Sequence, residues 1–274
     1  MKIKSSFWPL FLITGILITV HGVPFAQVST PVTQQMQMLS LIRSAGKIRV
    51  GMNPGYKPFE YKNEKGEIIG FDVDLARELA SALGVTLEIK EYEKYEDLIP
   101  ALGGDIDIII SGMTRTLERA LRVNFTDPYF QTGQAVITNE KNAGITSWKQ
   151  LNIPGKKIAV VEGTTGQELG EKKFDRAKVI RATNESDAVQ MLAKGTVDAF
   201  LHDRPFIQSL GLSHPKWNVL EEQLSYEFYS FAIPKGDFDF LLWLNYFISE
   251  LKISGKYDEI YNRWFSGIAG SPAR

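Results

Sequence analysis

Residues 106–120 read IDIIISGMTRTLERA. The first five, apolar except for Asp107, suit a strand buried on both faces, as in a parallel sheet covered by helices. Where such a strand ends come Ser111, Gly112 and Thr114, then Arg119 one turn into a following helix. In open α/β sheets, small ligands bind outside the carboxyl ends of the strands. Hydroxyls and backbone N–H groups of this loop can donate hydrogen bonds, and the Arg119 guanidinium offers a planar fork matched to a carboxylate. One reading is therefore an anion site for a small acid. The other is a capped helix with Arg119 solvated on the surface, and for an isolated S-G-x-T this blander reading carries more weight.

The surroundings extend the α/β pattern in both directions. Residues 47–52 read as a strand. Residues 71–83 place Leu75, Leu79 and Leu83 at i, i+4 and i+8, after a candidate cap Asp72 and before Gly84, a good residue to end a helix. Val85, Leu87 and Ile89 alternate as a strand, and residues 95–102 form a short helix. The order βαβαβ predicts a parallel sheet. Downstream the same grammar repeats: strand 156–161, helix 164–173, strand 178–183, a helix from an Asn184 cap to Lys194, and strand 196–202. Extended runs at 134–138 and 230–233 flank the second half and read as two hinge strands. Residues 238–266 hold two helices rich in Phe, Trp, Leu and Tyr that must bury on something. The expected architecture is two α/β lobes: residues 41–133 plus 234–274 as a discontinuous lobe 1, and residues 139–229 as lobe 2.

Composition limits what such a fold can do. The 274 residues are 44% hydrophobic and 23% charged, with formal net charge −1, which is globular and gives no positive field for nucleic acid or an anionic bilayer. There is no cysteine, so disulfides, thiol catalysis, thiolate zinc sites and a lipidated cysteine are all excluded, and three histidines are too few for a histidine-rich metal centre. No cofactor or metal is expected. At the start, Lys2 and Lys4 precede the apolar run 7–20, FWPLFLITGILITV, a signal-peptide pattern too short for a membrane span. Cleavage after Ala26 would leave a polar leader, 27–40, on a soluble exported protein; an uncleaved anchor is the alternative.

Two further loops occupy the matching places in the second half. EGTTG, residues 162–166, puts Thr164 and Thr165 at a helix N-terminus, whose N–H groups complement negative charge. Alone it reads as an N-cap. Asp203 ends the run TVDAFLHD, where a carboxylate can receive an ammonium or can cap the helix beginning near Pro205. Strand alternation points His202 and Arg204 away from the side Asp203 faces. Arg119 on one lobe and Asp203 on the other are the complementary charges for a zwitterion. Lobes that close on it would leave the two charges desolvated and unmatched in its absence.

The stretches GYKPFEY (55–61), GFDVDLARELASALG (70–84), YEDLIPAL (95–102), DIIISGMTRTLERA (107–120), VNFTDPYF (123–130), VEGTTG (161–166) and GTVDAFLHD (195–203) make the chain resemble the family 3 extracellular solute-binding proteins, the polar amino acid binding components of ABC transporters. The resemblance covers roughly residues 40–267. It implies the two-lobed type II periplasmic-binding-protein fold, a periplasmic monomer and a membrane permease as partner. It further implies that Arg119 holds the ligand α-carboxylate with the N–H groups of Thr114 and Thr165. Gly112 and Thr114 would supply acceptors near the α-ammonium, Asp203 its counter-ion, and Tyr56 and Tyr95 a sandwich for the side chain with Phe59 behind. Asn53 stands where many relatives have an aspartate, which turns the expectation towards an uncharged or acidic amino acid unless Glu162 compensates. Cyclohexadienyl dehydratases resemble the family closely, but carry a glutamate where Asp203 stands. An aspartate is shorter, and an adjacent ammonium would lower its pKa, which suits an ion pair and spoils a general acid. A binding module serving a sensor is the remaining alternative.

Overall fold

The structure, a computed structural model, describes residues 38–268. The expected signal segment, its cleavage point and most of the expected leader lie outside the described residues. The leader as expected runs too far, because a helix begins inside it at Met38–Ala45. Ile42 in that helix is buried, and the Met38 N–H donates to Asp237 Oδ2 at 2.6 Å.

Lys47–Met52 lies between two parallel neighbours, Thr86–Glu91 in the register Lys47↔Thr86 and Ile108–Ile109 in the register Val50↔Ile108. The helix Phe71–Leu83 makes the first crossover and ends on Gly84 in the left-handed conformation. Asp72 does not cap this helix: Gly70 occupies the cap position, and Asp72 is buried inside the first turn. In the second sheet Lys157–Val161 lies between Lys178–Ala182 and Ala199–Asp203, again all parallel. Neither sheet is purely parallel. Ala232–Pro234 runs antiparallel to both Ile108–Ile109 and Val123–Phe125, and Gln134–Thr138 runs antiparallel to Ala199–Asp203 and Asn218–Val219.

Those pairings also correct the hinge assignment. Gln134–Thr138 is buried along its whole length and belongs to the second sheet, while Ala232–Pro234 belongs to the first. The two segments running between the lobes pair with each other slightly earlier, Phe130–Thr132 against Glu227–Tyr229, in the register Thr132↔Glu227. Apolar extended runs are core strands here because they have apolar partners on both faces; the crossing segments are shorter and mixed.

The C-terminal helices Phe238–Ile253 and Lys256–Phe265 pack on the first lobe. The Phe265 ring lies 5.3 Å from Phe59 and 5.2 Å from Phe71. Asp74 pins the last helix by accepting from Arg263 at 2.7 Å and Trp264 Nε1 at 2.8 Å. In each sheet the strand order reverses beside the first strand, so the crevices at Asn53 and Ser111 and at Glu162 and Asp203 are the switch points where an α/β sheet opens to a ligand. Among the described residues no helix is long and apolar enough to cross a membrane, and no group of His, Cys, Asp and Glu is placed to hold a metal.

Candidate functional site

Both crevices open into one cavity between the lobes. Asn53, Tyr56, Tyr95, Gly112, Thr114 and Arg119 line it from the first lobe, and Thr164, Thr165 and Asp203 from the second. Nine of the ten residues singled out from sequence therefore meet. Ser111 is the exception: it stands behind the wall, where its Oγ accepts from Asn53 N at 3.0 Å and donates to Glu60 Oε1 at 2.6 Å.

The Arg119 position follows from its local sequence. Thr116 caps the short helix Leu117–Ala120 by accepting from Arg119 N at 3.1 Å, which turns the side chain back over the loop. The guanidinium donates to Thr114 O at 2.8 Å and, across the cleft, to Gly163 O at 3.0 Å. It also lies over the Tyr95 ring, 5.4 Å from the centroid, a cation–π placement. Gly163 allows this approach because its φ is +76° and a Cβ there would stand 2.9 Å from Glu96 Cβ. Gly112 is under the same constraint, with φ +51° and an imagined Cβ 2.5 Å from Tyr56 Cε1.

Asp203 does not cap the helix that follows it. Its carboxylate accepts from Tyr56 OH at 2.9 Å and from Gln134 Nε2 at 2.5 Å. Tyr56 is itself buried, stacked on Phe59 at 4.8 Å and hydrogen-bonded to Tyr229 OH at 2.5 Å. Burial, with Glu227 adding to it, pushes Asp203 up to about 6 against the opposing influence of His202. Thr164 keeps the ordinary cap role, accepting from Gln167 N at 3.2 Å. The hydroxyls of Thr114 and Thr165, one from each lobe, both donate to Glu227 Oε2, at 2.8 and 2.7 Å.

Several site groups were not found from sequence. His202 lines the cavity beside Asp203, contrary to the alternation argument. Asp203 has φ −58° and ψ 137° as the chain turns into the next helix, so the strict side-to-side pleat has already broken down at the strand's last residue. His202 Nε2 is 3.3 Å from Glu185 Oε1 and Nδ1 is 3.8 Å from Asp203 Oδ2, yet neither ring nitrogen completes a hydrogen bond. Burial alone would lower the imidazole pKa; Glu185 and Asp203 outweigh it and raise it. Glu60 and Glu185 also line the cavity. Glu60 shares its buried corner with Asp72, which accepts from Gly112 N at 2.7 Å and Tyr129 OH at 2.8 Å. Burial raises both carboxyls, Asp72 to about 7 and Glu60 further under the influence of Asp72 and Glu185. An acidic side chain would meet this wall unfavourably, and Glu162 is not part of it. Asn53 is tied by its Nδ2 to Tyr92 O at 2.7 Å.

Known proteins resemble this chain over most of its length. Residues 48–267 match the bacterial extracellular solute-binding proteins, family 3. A probable histidine-binding protein of Neisseria gonorrhoeae is 33% identical over 238 residues, covering 84% of this chain and 87% of the relative. A mutant of ArgBP from T. maritima superposes with a TM-score of 0.79 at 39% identity, over 84% of this chain and 99% of that one. A putative binding component of an ABC transporter from Wolinella succinogenes, complexed with lysine, gives 0.76 at 42% identity over 80% and 96%.

Proposed function

The chain belongs to family 3 of the bacterial extracellular solute-binding proteins, and from that premise we propose that Arg119 and Asp203 clamp the two charged ends of an amino acid as the lobes close. The protein is the amino acid-binding component of an ABC transporter, not an enzyme. The supporting observation is that Arg119 from one lobe and Asp203 from the other face a single cavity. The guanidinium takes the α-carboxylate, exchanging a carbonyl partner for a charged one, and Asp203 takes the α-ammonium.

Closure is the mechanism. Binding at a micromolar dissociation constant supplies about 8 kcal/mol, while moving a two-state equilibrium from 1:99 to 99:1 needs about 5.5 kcal/mol of differential affinity. Interactions made from both lobes at once exist only in the closed form, so most of the ligand's binding energy is differential. The closed surface is what the membrane permease reads. The family acts outside the cytoplasmic membrane; with no cysteine in these 274 residues to carry a lipid, we place this protein there as a freely diffusing monomer after loss of the segment ending near Ala26.

A thermal-shift screen against the twenty amino acids tests the reading. A ligand at 100 times its dissociation constant should add about 2.7 kcal/mol to stability. Asp203→Asn should weaken the same ligand by about 2–5 kcal/mol in calorimetry, because the ammonium loses its charge partner. A screen in which no amino acid raises the transition, or an Asp203→Asn variant of unchanged affinity, would sink it.

A further inference from the structure

Glu60 and Asp72 lie side by side behind the Ser111–Gly112 corner of the cavity wall. Their neighbourhood is set by the backbone. The Asp72 N–H donates to Phe59 O at 2.9 Å, and Gly70 packs so tightly that a Cβ on it would stand 2.9 Å from Glu60 N. The two residues are 1% and 0% exposed, and their carboxyl groups are within hydrogen-bond reach of each other.

Each carboxyl has one oxygen provided for and one that is not. Glu60 Oε1 accepts from Ser111 Oγ at 2.6 Å, and Asp72 Oδ2 accepts from Gly112 N at 2.7 Å and Tyr129 OH at 2.8 Å. As two anions, the pair would leave Glu60 Oε2 and Asp72 Oδ1 buried without a donor. The charges would repel, and each lone oxygen would bear an unmet desolvation cost. One proton between those oxygens removes both defects.

The surroundings say which residue carries it. Asp72 has two donors on its other oxygen and stands in the first turn of the helix Phe71–Leu83, where free N–H groups favour an anion. Glu60 has a single hydroxyl donor, and the Glu185 carboxyl of the second lobe acts against its ionisation. The other titratable groups facing the pair, the phenols of Tyr129 and Tyr95, are held neutral by burial. The basic groups of the cavity are engaged elsewhere, Arg119 with Thr114 O and Gly163 O, and His202 beside Glu185 and Asp203.

We infer that Glu60 and Asp72 are a proton-sharing pair, in which Glu60 Oε2 carries the proton and donates to Asp72 Oδ1, and that this pair positions Ser111 and Gly112. Glu60 then meets the cavity as a neutral acid, and the corner carries one negative charge. Through Ser111 Oγ the pair reaches the Asn53 N–H at 3.0 Å, and through the Gly112 N–H it fixes a glycine that lines the cavity. Both strand ends of the first-lobe crevice are thus held by one proton, whatever solute the cleft takes. Burial and Asp72 keep Glu60 well above the usual carboxylate range. A carboxyl raised on folding gives stability that is fully present below its unfolded value near 4 and is lost as pH rises through its folded value.

Infrared spectroscopy of the ligand-free protein at pH 8, by which Asp203 and Asp72 have ionised, tests the pair. Wild type should keep the carbonyl band of one neutral carboxylic acid. Glu60→Gln and Asp72→Asn should each lose it, because the new amide N–H takes the place of the proton. A wild type without the band, or a Glu60→Gln variant that keeps it, overturns the pair. Scanning calorimetry tests the positioning. Glu60→Gln, whose amide can donate to Asp72 and accept from Ser111, should melt close to wild type at pH 5 and gain several degrees on it by pH 8. Glu60→Ala keeps neither bond and should melt several degrees below Glu60→Gln at both. Equal transitions for these two variants, or a difference between Glu60→Gln and wild type that does not change with pH, overturns the positioning role. The wild-type band needs no variant and decides the matter if a substituted chain fails to fold.

Discussion

Arg119 shows how much a single side chain can be asked to do. The sequence suggests a guanidinium facing water until an acid arrives, so that its removal would cost binding and nothing else. In the structure it already spans the cleft to Gly163 O and lies over Tyr95. Arg119→Ala should therefore abolish amino acid binding in calorimetry and also lower the stability of the protein alone by about 1 kcal/mol, the net worth of a modest, partly solvated set of bonds. Retained affinity would remove Arg119 from the site. The residues whose place at the cavity was legible in advance are those whose chemistry is peculiar to a motif: an arginine after S-G-x-T, an aspartate at a strand end. Glu60 and Glu185 were not legible, because a glutamate after a turn or at the start of a helix is ordinary, and only three-dimensional packing removes it from water.

At the scale of elements, the ribbon formed by Phe130–Thr132 and Glu227–Tyr229 is more than a tether. Glu227 sits on it and receives Thr114 from the first lobe, Thr165 from the second and Ser225 Oγ at 2.7 Å. One carboxylate thus holds hydroxyls from both lobes at the crossing point, and it does so only when the lobes are together. Glu227→Ala should shift the ligand-free equilibrium towards the open form, seen as a larger radius of gyration in small-angle scattering and weaker ligand binding. A radius and an affinity equal to wild type would show that the three hydroxyls contribute no closure energy. The run at 134–138 was mistaken for the hinge because extended, apolar sequence is common to hinge strands and core strands; its neighbours in the sheet, not its own residues, decide which it becomes.

The molecule as a whole carries its buried charge as a dependence on pH. Asp72, at about 7, and Asp203, at about 6, are both raised chiefly by burial above the ordinary value near 4. The folded protein therefore binds more protons than the unfolded chain between about pH 4 and 7, and stability falls as pH rises through that window. His202 acts in the same sense, since a raised imidazole pKa gives stability that is lost as pH rises past it. Carboxylates held low by cations, such as Glu171 beside Arg181, work the other way only in stronger acid. Scanning calorimetry of the protein alone should give its highest transition near pH 5 and a lower one at pH 8. A transition that climbs steadily from pH 5 to 8 would contradict the burial of these groups.

Local sequence determined the main alternation of strands and helices in each half, the repeat of that pattern and the loops at strand ends, because periodicity, caps and glycines act within a few residues. It also placed Arg119 and Asp203 at strand ends in the two halves, and both line the cavity. Tertiary structure alone decided which strands close each sheet, where the chain crosses between lobes, and that two glutamates far apart in sequence share one cavity. Those outcomes depend on what a segment packs against, and desolvation, which gives a buried carboxylate its force, is a property of the surroundings and not of the residue.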